Sequence, residues 1–249
     1  MKSKFKLGFI LFFWGFLGVL TLLTATLPYE DIPEQFAQFP PNIIKLMVLI
    51  NPTIMLMIAV LIGTLLYDKV KLTVPTIASL LKMDHPQITL VQQLKYGVSL
   101  GLTAGALMTL TAFVFESIIP QEFEALKNQI EVTLLVRFGY GGITEELLLR
   151  FGFMTLVIWG LSKLTKLLSS PVYWIGIVIS TLLFAIGHFP IVYASLTHPS
   201  LVMLTYVLIG NSIGGLFFGW LYWKKGLEAA CIAHIFAHVA MVLGELLLN

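Results

Sequence analysis

The stretch GGITEELLLR, Gly141 to Arg150, decides how this chain is read. Two adjacent carboxylates, Glu145 and Glu146, stand ahead of Arg150, with apolar sequence on both sides. In a membrane helix each such group costs at least about 2.5–3.5 kcal/mol on insertion scales, so each needs a partner or a use. The sequence around the stretch is membrane sequence. Of 249 residues, 58% are hydrophobic and 11% charged, against roughly one quarter charged in an ordinary soluble domain. That balance excludes a soluble fold and predicts an all-α polytopic membrane bundle of about seven helices. A net charge of +2, with no basic run interleaved with aromatics, gives no sign of a nucleic-acid partner. Cys231 is the single cysteine, which rules out an intramolecular disulfide and a cysteine-built zinc site. The chain ends LLLN, which is not a prenylation box.

Apolar runs long enough to span fall at about 7–27, 43–66, 96–119, 137–160, 171–189, 200–222 and 226–248. The first follows MKSKFK and is too long, with no cleavage site after it, for a signal peptide; it reads as a retained helix. Three connections are polar: 27–42 is acidic and proline-rich, 67–87 is basic with a short interfacial helix around Val74–Met83, and 120–129 is PQEFEALKNQ. Residues 1–130 therefore hold about three spans and 131–249 about four, in one integral membrane unit. Eleven lysines on the N-terminal side against three basic residues opposite (Lys45, Lys127 and Arg137) predict a cytoplasmic N-terminus and an external C-terminus. Gly97, Gly101 and Gly105 recur every four residues, as do Gly210/Gly214 and Gly215/Gly219, a spacing for close helix packing. Trp14, Trp159, Tyr173, Trp174, Trp220, Tyr222 and Trp223 near span ends read as an interfacial aromatic belt.

Few ionisable groups lie within spans: Glu145, Glu146 and Arg150 in the fourth, His188 late in the fifth, and His234 and His238 in the seventh. Glu146 and Arg150 are i and i+4, in the favoured order for an ion pair. Glu145 is turned about 100° away on an α-helix and is free to face a cavity. Thr144 is a candidate N-terminal cap, with Gly139, Gly141 and Gly142 letting the helix start close to its neighbours. His234 and His238 project from one face, spaced for joint metal ligation or for donation to an oxyanion. His188 precedes Pro190, where a helix end is expected, so it reads equally as a cap. His85 and His198, each before a proline in a loop, read as solvated. Together the buried groups can activate water: Glu145 takes the proton, His188 helps hold the water, and His234 with His238 stabilises the oxyanion. A Zn²⁺ held by Glu145, His188, His234 and His238 is a second use of the set. A proton or metal transporter and a non-catalytic membrane scaffold are the competing classes.

The order EELLLR (Glu145 to Arg150), FAIGH (Phe184 to His188) and HIFAH (His234 to His238) resembles the CPBP intramembrane proteases, also called the Abi or type II CAAX prenyl endopeptidase family. The likeness covers roughly residues 137–245. It implies a helical membrane core that cleaves a peptide bond of a membrane-embedded or membrane-associated substrate. Under it Glu145 and His188 serve the water, and His234 and His238 the oxyanion. The family is commonly labelled a metalloprotease. Prenyl-processing members have Asn at the last motif position, where this chain has His238. The change weakens the expectation of a prenylated CAAX substrate and favours metal binding somewhat. Bacterial relatives are linked with bacteriocin self-immunity or peptide processing. In the predicted topology the site opens outward.

Overall fold

The computed structural model describes residues 2–25, 39–84, 86–129 and 132–248. Most of the acidic 27–42 connection and His85 lie outside these residues. The described residues form helices and no strand. Seven helices are long and apolar enough to cross a membrane: Lys2–Thr24, Ile43–Val70, Leu90–Ile118, Val136–Thr165, Ser170–Ser195, Leu201–Lys225 and Leu227–Leu247. They are numbered first to seventh below. The protein is a multi-pass membrane protein with the all-α fold that composition required, because lipid leaves a backbone no hydrogen-bond partner outside its own helix.

The fourth span is central and touches the first, second, fifth, sixth and seventh. Glycines set these approaches. A Cβ on Gly18 of the first span would lie 2.4 Å from the Gly139 carbonyl of the fourth, so the two backbones meet there. In the second span Gly63 leaves room for Phe151, and Gly152 of the fourth is pressed onto Ala59. The Gly97, Gly101 and Gly105 stripe seats the third span on the seventh: a Cβ on the last two would lie 2.4 Å from the Ala233 carbonyl and 2.3 Å from that of Ala237. Gly215 and Gly219 bring the sixth span onto Thr181 and Ile177 of the fifth. Gly210 makes no close approach to another span; only Tyr206 of its own helix lies within 4 Å.

Several local expectations change. The fourth span winds with i→i+5 bonding as π-helix over Val136–Glu145 and Leu147–Met154, a geometry that is rare elsewhere and frequent at functional sites. It starts well before Thr144, so Thr144 is not a cap. Its buried hydroxyl donates to the Gly15 carbonyl at 2.8 Å, tying the fourth span to the first. Gly139, Gly141 and Gly142 lie inside this helix rather than at its start. The polar segment 120–129 is itself helical, Pro120–Gln129. The interfacial helix in the basic connection is Pro75–Leu80. Tyr222 does not belong to an interfacial belt: it is fully buried, and its hydroxyl meets that of Thr155 at 3.1 Å. Tyr173 is also buried and donates to the Val70 carbonyl at 2.8 Å.

Two regions position the site from either end. On the lysine-rich side, the buried Glu228 opens the seventh span. It accepts from the Ile77 N–H and from the Gln93 amide, each at 3.0 Å. On the opposite side, Pro120–Gln129 and the helix Phe189–Ser195 enclose a small second core with Met203 and Val207.

Candidate active site

The fourth, fifth, sixth and seventh spans meet around Arg150. Glu146 and Arg150 are both 0% exposed, and Arg150 Nη1 lies 3.2 Å from Glu146 Oε1. The contact is an ion pair without hydrogen-bond geometry: Arg150 Nε, Nη1 and Nη2 all lack a hydrogen-bond acceptor. The guanidinium lies over the rings of Phe184 (4.8 Å) and Phe218 (5.5 Å), where cation–π attraction partly offsets its desolvation. The predicted i, i+4 pair is thus present. Removing Arg150 would leave Glu146 buried without its cation, a change that costs about 3–5 kcal/mol in buried pairs.

Glu146 has a second partner that its own helix does not supply. His234 Nδ1–H donates to Glu146 Oε1 at 2.8 Å. A carboxylate can only accept, so this bond assigns the proton to Nδ1 and turns Nε2 of His234 outward. The ring is held flat against Phe218, centroids 4.5 Å apart at 22°, and against His238, 5.0 Å apart at 20°. Glu146, expected only to pair with Arg150, therefore also orients an imidazole.

Glu145 takes the other direction. Its side chain keeps 18% exposure, and Oε2 stands 4.0 Å from His234 Nε2. The two neighbouring carboxylates separate into one sealed and one accessible, as helical spacing predicted, although the turn between them is a π turn rather than an α turn.

Gly141 supplies the space between these groups. A Cβ there would come 2.9 Å from His238 Nε2 and 3.8 Å from His234 Nε2. Both Nε2 atoms therefore lie against the fourth span at Gly141, one helical turn before Glu145. His238 Nδ1 is buried with no hydrogen-bond partner.

His188 follows the end of the helix Ser170–Ile186. Its Nδ1–H donates to the Phe184 carbonyl at 2.8 Å, and its ring meets Phe184 edge-on at 4.8 Å. It thus caps a last-turn carbonyl, as the following proline suggested, while its Nε2 stays available as an acceptor. Phe184 stands between it and His234, whose ring Phe184 meets edge-on at 6.0 Å.

The expected zinc donor set does not assemble. Among the described residues no three His, Cys, Asp or Glu groups are placed to hold a metal ion. Nδ1–H of His234 goes to Glu146, a bond that metal-ligating imidazoles commonly make, and its Nε2 is left free. As arranged, Glu145, His188, His234 and His238 are not gathered as three donors around one point. His198, read as solvated, is exposed.

Sequence reasoning passed over Gly141 and Phe218. Gly141 was read only as a packing glycine, although its place one turn before Glu145 was the available signal. Phe218 lies in a glycine-patterned helix, and nothing local distinguishes it from a core residue.

Residues 128–240 match the family described as Type II CAAX prenyl endopeptidase Rce1-like. No curated protein and no solved structure matches the chain.

Proposed function

We propose that this protein, whose residues 128–240 carry an Rce1-like type II CAAX prenyl endopeptidase domain, hydrolyses a peptide bond of a membrane-embedded or membrane-associated peptide or protein with water activated by Glu145 and His188. The observation that carries the reading is the approach of both His234 Nε2 and His238 Nε2 to Gly141, one turn before the accessible carboxylate of Glu145, and the proposed oxyanion niche lies there.

Each residue then has a distinct task. Water lies between Glu145 and the Nε2 acceptor of His188. Glu145 removes its proton as the hydroxide adds to the scissile carbonyl. The oxygen of the tetrahedral intermediate enters the niche, where His238 donates from Nε2–H. His234 donates there as well when its Nε2 has taken a proton from bulk water before the substrate binds, because Glu146 already holds its Nδ1–H. That cation is matched by Glu146, in the way a carboxylate orients and stabilises the histidine of a catalytic triad. When the intermediate collapses, the C–N bond breaks and protonated Glu145 gives its proton to the leaving amine. The products are a new carboxylate and a new amine. Arg150 and Glu146 are positioning residues: they act through His234 and touch no reacting atom.

The test uses purified protein in detergent with two sets of fluorogenic peptides, prenylated CAAX peptides and unprenylated membrane-segment peptides. Wild type should cut one set, and Glu145→Gln and His188→Ala should both lose at least about a hundredfold in rate. Equal cleavage by wild type and both variants would sink the assignment.

A further inference from the structure

Away from this site, the first and second spans enclose a groove of about 500 Å³ on the lysine-rich side, with apolar walls and a basic rim. Phe5, Phe9 and Phe12 form one wall, Met57 and Leu61 face them, and Lys4 and Lys69 stand at the mouth. The volume lies within the range of ligand pockets, about 300–1,000 Å³. Its walls lie in membrane-spanning segments, so its occupant comes from the bilayer.

Two observations narrow the occupant. The first is charge. Lys69 is exposed beside the groove, and Lys6 lines a second groove that shares Phe5 and Phe9. Asp68 pairs with Lys4 at 2.6 Å, and Lys69 forms no ion pair among the described residues. The mouth therefore favours an anion. The second is Thr64, on the groove wall and 6% exposed, whose hydroxyl has no hydrogen-bond partner. Threonines elsewhere in the spans, such as Thr53, Thr103 and Thr111, donate to the carbonyl four residues back. Thr109 and Thr181 are also unpartnered, but neither lines this groove. Thr64 lies about one turn and a half below Lys69, which is the relation of a glycerol ester to its phosphate headgroup. Gly8 keeps the groove floor open, since a Cβ there would stand 2.8 Å from the Thr64 hydroxyl.

We infer that this groove binds one anionic phospholipid, with its phosphodiester on Lys4 and Lys69, an ester carbonyl on the Thr64 hydroxyl and an acyl chain between the first two spans. Basic pockets between membrane helices recognise such headgroups, at roughly 1 kcal/mol for each lysine or arginine near the surface. The inference is independent of the peptidase reading.

Native mass spectrometry of the detergent-purified full chain tests it, with dioleoylphosphatidylglycerol, dioleoylphosphatidylcholine and inorganic phosphate as probes. One phosphatidylglycerol should be retained per chain at least about fivefold more tightly than phosphatidylcholine. The variant Lys4→Gln/Lys69→Gln should lose about fivefold per lysine for phosphatidylglycerol alone. Leu61→Trp, which fills the groove from an exposed position, should weaken both lipids while its melting by circular dichroism stays at the wild-type value. Equal retention of the two lipids would overturn the inference. So would wild-type retention in either variant, or displacement of phosphatidylglycerol by millimolar phosphate.

Discussion

Among the described residues two carboxylates are buried, and they are treated in opposite ways. Glu228, at the start of the seventh span, has a neutral donor on each oxygen: the Ile77 N–H and the Gln93 amide. Gln93 is itself held, donating also to the Lys225 carbonyl. Glu146, facing the middle of the same span, shares one oxygen between His234 and Arg150, while its other oxygen and the Arg150 nitrogens lack hydrogen bonds. A saturated buried carboxylate joins elements and does nothing else. Under the proposed peptidase reading, an under-saturated one beside a cation and an imidazole is where the fold tolerates cost for chemistry.

The comparison is broken or sharpened by substitution. The largest effect is expected at Arg150→Met, which leaves Glu146 buried without its cation. It should lose about 3–5 kcal/mol of stability, read by denaturation in detergent, and cleavage should vanish with it. Unchanged stability would mean that Glu146 is no more strained than Glu228. Next, Glu145→Gln should reduce cleavage by about 10²–10⁴-fold with melting unchanged, because this carboxylate is part of no packing network. Gly141→Ala comes third. Its new Cβ would stand 2.9 Å from His238 Nε2 and should slow cleavage about tenfold to a hundredfold, mainly in kcat, while the protein still folds. Glu228→Gln is the smallest. One acceptor oxygen becomes a donor facing another donor, costing about 1–3 kcal/mol of stability with cleavage within about twofold of wild type. If Glu228→Gln abolished cleavage without unfolding, the division between a structural and a chemical carboxylate would fail.

The same contrast shows what was legible from the amino acids. The Glu146–Arg150 pair was legible because it lies within one helix, and neighbours on a helix are set by spacing. The bond from His234 to Glu146 joins residues in different spans, and no periodicity reports it. Glu228 was passed over for a related reason. As the second residue of a span it resembles an end group in water, and only the packing of Pro75–Leu80 and Gln93 over it makes it buried. Spacing likewise puts His234 and His238 on one face, but stacking of the rings decides where their nitrogens aim.

By itself, the sequence determined the seven apolar segments that form membrane-length helices among the described residues and which few ionisable side chains they carry. Hydropathy is a sum along a segment, and a helix satisfies its own backbone in lipid without reference to its neighbours. Only the tertiary structure decided that Glu146 accepts from His234, that both imidazoles close on Gly141, and that the first two spans leave a basic-rimmed groove. Those features depend on how closely helices approach one another, and that distance is set by pairs of residues far apart in the chain.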